Sequence, residues 1–459
     1  MKNIKLPIFY ISVIVLSAFI SYFIFSKPKS SKIELYSYIG DFGEVIDKVI
    51  ITYDKNIKDF KNIDTNTYTI NAKSYIQAGN KKGSLDYDLN RKIEYIETTN
   101  NQVILYLNSG EGKTFSWTED LRRNVKSKLE YTVVQNTDID AINTSDKKVV
   151  IKNNTKYVWD NKIINDDITN IEYISDRDGI NYHFYRSTNS DKLIVWFVGS
   201  GESGFDNMNN KEAPIIANDG FVSFIREDIQ NIFNGANVVS FQPIESWSDL
   251  SSSKKKVYET VYKKLNKIIE KYGINKDKIV VAGCSSGGYM ATEMIIKYPD
   301  LFASAIIACP ALSVNNVTDE DLESIKKSKT SIWLVQGETD GAVATEDNAL
   351  RMFNILSSNR DIITTRILED YSSSYTTYET LDDKYKLSLY DTVDRQSIKN
   401  FDGTTSETGL LKYEVDFNRD GESEVYKFLD HFSWIYPLNN TTKDSKGVCV
   451  IDWSSKFVK

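Results

Sequence analysis

The sequence contains only three cysteines and two histidines among 459 residues, and this scarcity excludes several classes of protein. A small, odd number of cysteines cannot form a disulfide framework, and Cys284, Cys309 and Cys449 lack the spacing of metal ligands. Cys284 and Cys309 each end an apolar run and are predicted to be small buried residues. The chain also lacks a concentrated basic face, and its net charge of −8 argues against a nucleic-acid partner. Hydrophobic residues make up 41% of the chain, enough for sizeable cores in more than one domain.

Charged residues are absent from residues 6–25, and this apolar run is long enough to cross a membrane. Such a run spans about 30 Å as a helix, the thickness of the hydrocarbon layer. A cleaved signal peptide is the alternative, but its apolar part is usually shorter and ends in small residues, whereas residues 21–25 read SYFIF. We therefore predict that residues 1–32 form an uncleaved membrane anchor and a linker. Lysines flank both ends of the run, so the positive-inside rule does not decide its orientation. We expect the rest of the chain outside the cell, because the short N-terminal tail resembles an export signal that is not cleaved.

Residues 33–155 contain short β-rich runs broken by Asn, Asp, Gly and Lys, without a long helical periodicity. Strand signals such as residues 45–53 and 101–107 recur at intervals of roughly ten residues, which is typical of a β-sandwich. We predict a small all-β, immunoglobulin-like sandwich, although the Cys–Trp–Cys signature of antibody domains is absent. Its role is open between a spacer, an oligomerisation surface, a substrate platform and a structural appendage without chemistry.

From about residue 165 onward, apolar strands alternate with helices. Residues 171–186 are predicted to form a hairpin, and residues 193–198 are apolar throughout, as in a strand buried on both faces of a parallel sheet. Further strands are predicted at residues 236–241, 278–284, 303–309 and 331–336, and helices at residues 254–272 and 289–298. This alternation predicts an α/β domain over residues 165–459, with a mostly parallel sheet and flanking helices.

The pattern Gly-x-Ser-x-Gly, formed by Gly283, Ser285 and Gly287, lies between an apolar strand and an amphipathic helix. This context is typical of a nucleophile elbow, in which a strand turns sharply into a helix and presents a serine hydroxyl above the sheet. The glycines are needed because the serine backbone is strained and neighbouring chains approach closely. The alternative is a Gly/Ser turn between two core elements. We predict an elbow with Ser285 as the nucleophile.

A serine nucleophile requires a general base and an acid that orients the base, and in this arrangement the acid and then the histidine follow the serine. His183 precedes Ser285 and lies in a predicted strand, whereas His431 follows it near the C-terminus. His431 is therefore the candidate base, with a structural histidine as the alternative. Asp340, just past the end of the next predicted strand, is the candidate acid, and Glu338 lies earlier in the same turn.

Attack on an ester or amide carbonyl also requires N–H donors for the oxyanion. The backbone N–H of Ser286, next to the nucleophile, is one predicted donor, and the loop after residues 193–198 supplies another from Gly199 or Ser200. The glycines of this loop also suit a phosphate, but the Gly-Lys-Ser/Thr ending of a P-loop is missing and no helical pattern follows directly. The predicted chemistry requires no cofactor and no metal.

Four motifs in order make residues 191–356 resemble hydrolases of the polyhydroxybutyrate-depolymerase-like and prolyl-oligopeptidase-like groups. These motifs are the loop VGSGE at residues 198–202, the elbow GCSSGG at 283–288, the stretch YPDLF at 298–302 and the turn GETD at 337–340. The segment HFSWIY at 431–436 and the β-rich region resemble those of bacterial esterases that carry an N-terminal immunoglobulin-like domain. The resemblance implies an α/β-hydrolase fold and a catalytic triad of Ser285, Asp340 and His431.

The chain departs from that family pattern at two places. Val198 stands where the family usually has histidine, which removes a hydrogen bond that braces the loop but keeps the backbone donor. Residues 370–427 are expected to form an insertion, either a lid or a surface loop, because Asp340 and His431 lie far apart along the chain. Within it, residues 416–424 begin like a calcium-binding EF-hand loop, but Lys427 replaces the required glutamate, which favours an Asp/Asn/Gly turn.

Three functions fit this sequence. A serine hydrolase that cleaves carboxylic esters through an acyl-enzyme is the favoured hypothesis, with a small-molecule or polymeric ester as its substrate. A peptidase on the same triad is the first alternative, since both reactions use the same groups. A surface-binding protein with an inactive hydrolase domain is the second, and the intact order of serine, acid and histidine argues against it.

Overall fold

The computed structural model of the protein describes most of the chain beyond the N-terminal segment. The described residues are 32–53, 56–153, 156–176, 178–205, 210–249, 254–399, 405–417 and 421–459. The membrane anchor predicted for residues 6–25 lies outside these ranges, as do positions 418–420 of the EF-hand-like stretch. Across the described ranges, no helix is both long enough and apolar enough to span a bilayer.

The described chain as far as Asn165 is made of β-strands. They are β1 Lys32–Gly40, β2 Gly43–Thr52, β3 Ile57–Phe60, β4 Tyr68–Tyr75, β5 Leu85–Arg91, β6 Ile93–Thr99, β7 Gln102–Leu107, β8 Phe115–Thr118, β9 Arg123–Lys126, β10 Lys128–Gln135, β11 Ile139–Asn143, β12 Lys148–Ile151, β13 Lys156–Val158 and β14 Ile163–Asn165. Because β13 and β14 pair with earlier strands of this region, it extends past residue 155, where the sequence analysis ended it.

Two sheets of this region enclose one apolar core. Their strand orders are β14-β1-β2-β7-β6 and β13-β10-β4-β5. Buried residues alternate with more exposed ones along β1, β4, β7 and β10, because successive side chains of a strand point to opposite faces. The buried faces meet in a cluster that includes Leu35, Val49, Ile70, Leu105 and Val133. The region is therefore a β-sandwich, and the hairpin β8–β9 projects from it as a separate two-stranded sheet.

The remainder of the chain alternates strands and helices, as predicted. The strands are β15 Ile171–Ile174, β16 Ile180–Tyr185, β17 Leu193–Phe197, β18 Asn237–Pro243, β19 Ile279–Cys284, β20 Ser304–Ala308, β21 Ser331–Gly337, β22 Ile362–Ile367, β23 Tyr375–Thr380, β24 Tyr385–Tyr390, β25 Asp394–Lys399, β26 Thr405–Val415 and β27 Glu424–Leu429. The helices are α1 Ala213–Ile216, α2 Gly220–Ser223, α3 Glu227–Phe233, α4 Lys254–Tyr272, α5 Ser286–Lys297, α6 Asp319–Ser324, α7 Ala349–Ser357, α8 Ile435–Leu438 and α9 Val450–Ser455.

One mixed sheet dominates this second region, in the order β15-β16-β18-β17-β19-β20-β21-β24-β23-β22. The neighbours from β18 to β24 in this order pair in parallel, and antiparallel strands complete both edges. All residues of β17, β19, β20 and β21 are buried because helices cover both faces. Helices α4, α5 and α7 pack on one face, and α2, α3, α8 and α9 pack on the other. The predicted parallel sheet with flanking helices is confirmed.

The stretch assigned to an insertion, residues 370–427, has two parts. Its first part supplies β23 and β24 to the central sheet, and its second part forms most of a separate sheet, β25-β26-β27. This small sheet packs on the turn that holds Asp340, where the N–H of Gly409 donates to the carbonyl of Thr339 over 2.9 Å. Just after β26 the chain also contacts the sandwich, where the N–H of Ser109 donates to the carbonyl of Phe417 over 2.9 Å.

Candidate active site

The strand, turn and helix expected for a nucleophile elbow are present. Strand β19 ends at Cys284, helix α5 begins at Ser286, and Ser285 between them has φ of +54° and ψ of −120°. A positive φ is unfavourable for a residue with a side chain, so the backbone is strained at this position. A Cβ atom on Gly287 would lie 1.9 Å from the carbonyl oxygen of Phe197, which explains the glycine. The half-buried hydroxyl of Ser285 therefore stands at the carboxyl end of a central parallel strand.

Three side chains that are distant in sequence meet at this serine. His431, in a short turn after β27, has its Nε2 atom 3.0 Å from the Oγ atom of Ser285. Its other ring nitrogen, Nδ1, lies 2.8 Å from Oδ2 of Asp340, in the turn after β21. The three residues singled out from sequence are thus hydrogen-bonded in a chain from hydroxyl to imidazole to carboxylate.

The carboxylate of Asp340 is fully buried and held by several donors. Its Oδ1 atom accepts hydrogen bonds from the backbone N–H groups of Ala342 at 2.8 Å and Val343 at 2.9 Å. The side-chain amide of Gln336, near the end of β21, donates to Oδ2 at 2.8 Å. Since these donors fix the orientation of the carboxylate, Gln336 belongs to the site, although the sequence analysis did not select it. Its only sequence signal is a polar residue at the end of an apolar strand.

Asp430 is a second buried carboxyl group that the sequence analysis missed. Its Oδ2 atom accepts hydrogen bonds from the N–H of Thr339 at 2.8 Å and the hydroxyl of Thr392 at 2.7 Å. These bonds tie the residue before His431 to the residue before Asp340. Burial raises the pKa of Asp430 to about 6, against these hydrogen bonds, which lower it. His431 and Asp340 are therefore linked through the residues that precede them as well as through their own side chains.

The electrostatic surroundings of His431 favour its protonated form. Burial lowers the pKa of the imidazole, but the charge of Asp340, its hydrogen bond and the charge of Glu202 outweigh this effect, so the pKa is raised above 6.5. A raised pKa helps an imidazole to hold a proton taken from a hydroxyl group. His183, in contrast, is buried in β16 and is not part of the site.

The residues predicted to bind an oxyanion lie on two adjacent segments. Ser286 is the first residue of α5, so its N–H has no acceptor within the helix, and the positive end of the helix dipole lies at this point. The hydroxyls of Ser200, Ser246 and Ser286 form a chain with distances of 2.7 Å between successive oxygens. This chain links the elbow to the loop after β17. Gly199 opens that loop, and its N–H lies beside the Glu202 carboxyl group, which leaves Ser200 as the second candidate donor.

A cavity of about 450 Å³ opens on the acid side of this site. It lies between the turn that carries Asp340 and the small sheet, where Arg395 and Glu407 contribute to its walls. Ser285 and Ser286 are not among its lining residues, so the cavity lies beside the Ser285 hydroxyl and does not enclose it.

Two groups of side chains in the described residues have metal-ligating atoms close together. The first comprises Cys309, Asp340 and His431, and in it both imidazole nitrogens already contact Asp340 and Ser285. The second comprises Glu379, Asp383 and Asp444, and the buried ammonium of Lys386 lies 2.7–3.0 Å from an oxygen of each. The lysine supplies the positive charge that these carboxylates require, so neither group indicates a metal centre.

Comparisons with known proteins agree with this architecture. The prolyl oligopeptidase family model matches residues 246–325, which include the elbow. A solved structure described as a thermostable esterase is similar over 93% of this chain and 99% of its own, with a TM-score of 0.63 and 19% identity. The chain has the α/β-hydrolase fold. An acetyl xylan esterase from Aspergillus awamori aligns over 49% of this α/β-hydrolase chain and 93% of its own, with a TM-score of 0.37 and 15% identity. A search of curated proteins finds no match.

Proposed function

We propose that this α/β-hydrolase cleaves carboxylic esters with Ser285 as nucleophile, His431 as base and Asp340 as the orienting acid. The observation that carries the proposal is the pair of contacts at 3.0 Å and 2.8 Å that joins the strained serine to the imidazole and the carboxylate. Side chains 146 and 91 positions apart in sequence meet in the order that proton transfer requires. The esterase fold of the similar solved structure is consistent with this proposal.

The proposed reaction proceeds through an acyl-enzyme. The Nε2 atom of His431 takes the hydroxyl proton while Ser285 attacks the ester carbonyl carbon. The N–H groups of Ser286 and Ser200 receive the developing oxyanion. When the tetrahedral intermediate collapses, the imidazolium donates its proton to the alkoxide, and the alcohol leaves. His431 then removes a proton from water, which attacks the acyl carbon. As the second tetrahedral intermediate collapses, the carboxylic acid leaves and the imidazolium returns its proton to the Ser285 oxygen. No cofactor enters these steps.

Replacement of the nucleophile tests the proposal. We expect the wild type to hydrolyse short-chain p-nitrophenyl esters and Ser285→Ala to lose at least about 10⁴-fold in kcat. A fluorophosphonate probe should label the wild type and leave Ser285→Ala unlabelled. Ser324→Ala is a suitable control, because the Ser324 hydroxyl donates only to the carbonyl of Asp321 in α6. Unchanged turnover by a folded Ser285→Ala protein would end the case for this mechanism.

Peptide-bond cleavage is a second candidate, favoured by the match to the prolyl oligopeptidase family over residues 246–325. The same three residues would serve both reactions. An amine leaves less readily than an alkoxide, so amide hydrolysis depends more on protonation of the leaving group. We expect turnover of short-chain esters to exceed that of aminoacyl-nitroanilides. The opposite preference would identify a peptidase, and both activities should disappear in Ser285→Ala.

We also propose that the sandwich is immunoglobulin-like and that residues 1–32 anchor the protein in the membrane with the remaining chain outside the cell. The strand orders β1-β2-β7-β6 and β13-β10-β4-β5 support the first point, because they correspond to the ABED and GFCC′ sheets of immunoglobulin domains. The apolar sequence of residues 6–25 supports the second. Extraction of the protein from membranes by alkaline carbonate would contradict the anchor. Protection of the remaining chain from protease added to intact cells would contradict the proposed orientation.

A further inference from the structure

We propose that Asn124, in the N-terminal sandwich, is a positioning residue for the oxyanion loop, and that it acts through Glu202. Asn124 lies in β9, and Glu202 ends the short turn Ser200–Glu202 that follows β17. The amide of Asn124 donates to the Oε1 atom of Glu202 over 3.0 Å, so a side chain from one domain contacts the catalytic loop of the other. The inference rests on the proposed ester hydrolysis, for which this loop supplies an oxyanion donor.

The contact between Asn124 and Glu202 is partly buried, and the loop comes close to the asparagine. Glu202 is 6% exposed, and its carboxyl group also lies beside the backbone N–H of Gly199. Because a buried carboxyl group requires hydrogen-bond donors, the amide of Asn124 stabilises Glu202 together with the backbone N–H of Gly199. A Cβ atom on Gly201 would lie 2.8 Å from the amide nitrogen of Asn124, so the loop has a glycine where the asparagine approaches most closely.

Further bonds fix the hairpin β8–β9 against the same loop. The guanidinium Nε of Arg123 donates to the carbonyl of Gly204 over 3.0 Å. The amide of Asn210 donates to the carbonyl of Asn124 over 3.3 Å and to that of Ser203 over 2.7 Å. Since the acceptors of these bonds are backbone carbonyls, the bonds hold the whole hairpin against the loop.

Within the hairpin, Asn124 is the residue whose side chain contacts Glu202. The Glu202 carboxyl group in turn contacts the N–H of Gly199, the residue next to Ser200.

This arrangement accounts for a departure noted in the sequence. Val198 occupies the position where the resemblance noted in the sequence implies a loop-bracing histidine, and it is wholly buried in the apolar core. A valine side chain offers no hydrogen bond, so the loop needs its support from elsewhere. The Asn124–Glu202 pair provides that support from the sandwich. The sandwich therefore contributes to the geometry of the catalytic site and is more than a spacer.

The variant Asn124→Ala in the full chain tests the inference. We expect kcat for a short-chain ester to fall about 10-fold while KM changes less than about 3-fold, because a misplaced oxyanion donor weakens transition-state binding. The rate of fluorophosphonate labelling should fall in parallel, since phosphonylation also develops charge on that oxygen. Asn71→Ala is the matched control, because Asn71 also lies in the sandwich and donates to a carboxylate, that of Asp88, over 2.9 Å.

A reversed pair distinguishes positioning from a general loss of stability. In Asn124→Asp the new carboxylate faces Glu202, and we expect a loss of kcat at least as large as in Asn124→Ala. Adding Glu202→Gln restores a hydrogen bond in the reverse direction, because the new amide at position 202 can donate to the new carboxylate at position 124. The double variant should therefore recover to within about 3-fold of wild-type kcat. If Asn124→Ala does not fold, the comparison of Asn124→Asp with the double variant remains decisive.

The outcomes separate this inference from the proposed function. Wild-type turnover with unchanged kcat in Asn124→Ala, or an Asn124→Asp variant that the second substitution does not rescue, would overturn the positioning role alone. A lower melting temperature with unaltered kcat and labelling rate would also overturn it and leave Asn124 as a structural contact. Absence of both ester turnover and labelling in the wild type would instead overturn the proposed function.

Discussion

The two histidines lie in surroundings that shift the pKa of the imidazole in opposite directions. His183 lies in β16, opposite Tyr173 of the neighbouring strand, and is 3% exposed. Within the described part of the chain, its Nδ1 atom has no hydrogen-bond partner. Burial, aided by the charge of Lys211, lowers its pKa to about 3. His431 lies in the turn after β27, between a carboxylate and a hydroxyl, and its pKa is raised despite burial.

The difference shows that the partners of an imidazole, and not its burial, decide its role. Both rings are largely removed from water, which by itself disfavours the imidazolium in each case. Of the two rings, His431 is the one with a carboxylate on one ring nitrogen and, on the other, a hydroxyl that can donate its proton. A ring in this setting can accept and return a proton near neutral pH, whereas His183 stays neutral across that range.

The largest effect is expected from replacing each histidine in turn. His431→Gln should lower kcat for esters by at least about 10⁴-fold, because no other imidazole is close enough to accept the serine proton. His183→Phe should leave kcat within about 2-fold of wild type, since His183 is a structural residue. Steady-state kinetics with p-nitrophenyl esters provides the measurement. Comparable losses in both folded variants would contradict the assignment of the two rings.

Removing the acid should be nearly as damaging and should also move the pH profile. Asp340→Asn is expected to lower kcat by about 10³- to 10⁴-fold, because the amide favours the wrong imidazole tautomer. In the wild type, kcat/KM should rise with pH through the raised pKa of His431. Without the carboxylate charge, this pKa should fall, and the midpoint should shift to lower pH. With two histidines in the chain, ¹³C-histidine NMR can follow each ring separately, and an unmoved His431 resonance would contradict the coupling.

The two rings should also contribute oppositely to stability. The pKa of His183 is lower in the folded protein than in the unfolded chain. Below pH 6.5 His183 therefore takes up a proton in the unfolded chain but not in the folded protein, and the free energy of unfolding falls as pH falls. Between pH 8 and pH 5 this loss amounts to about 2 kcal/mol, and His183→Phe should remove it. For His431, with a raised pKa, stability is present below pH 6.5 and is lost as pH rises through its folded pKa. Urea unfolding of wild type and His183→Phe at both pH values measures the difference, and parallel pH dependences would refute it.

Local patterns were sufficient to predict the strand β19, the helix α5 and the sharp turn at Ser285, because apolar runs and glycines constrain the backbone directly. They also predicted Asp340, since the end of a parallel strand fixes where the next side chain emerges. His431 followed from scarcity and chain order, with no information about distance. The boundary of the sandwich was less accurate, because β13 and β14 are too short to carry a strong strand signal and are held by pairing with distant strands.

The supporting residues could not be predicted from sequence. Asn124 and Glu202 belong to different domains, and an asparagine in a four-residue strand has no pattern that indicates its partner. Asp430 looked like an unremarkable neighbour of His431, although it ties the histidine segment to Thr339. Contacts of this kind form between segments that are distant in sequence. They depend on how the sandwich, the central sheet and the small sheet pack together, and no local sequence pattern shows this.

The smallest predicted effect concerns Gln336, whose amide donates to the same Asp340 oxygen that contacts His431. Gln336→Met keeps the side-chain size and removes this bond and a second one, from the same amide to the carbonyl of Val343 at 3.2 Å. The carboxylate then loses one of its orienting donors, while the N–H groups of Ala342 and Val343 remain. We expect kcat to fall by about 3- to 10-fold, with KM unchanged, because the imidazole retains its charge partner but is held less firmly. Gln230→Met is the matched control, since the Gln230 amide nitrogen also donates two hydrogen bonds, to the carbonyls of Phe224 and Ala236, away from the triad. A kcat equal to that of the control would show that the backbone donors alone orient Asp340. The opposite pKa shifts of His183 and His431 would then depend on the Asp340 carboxylate without support from Gln336.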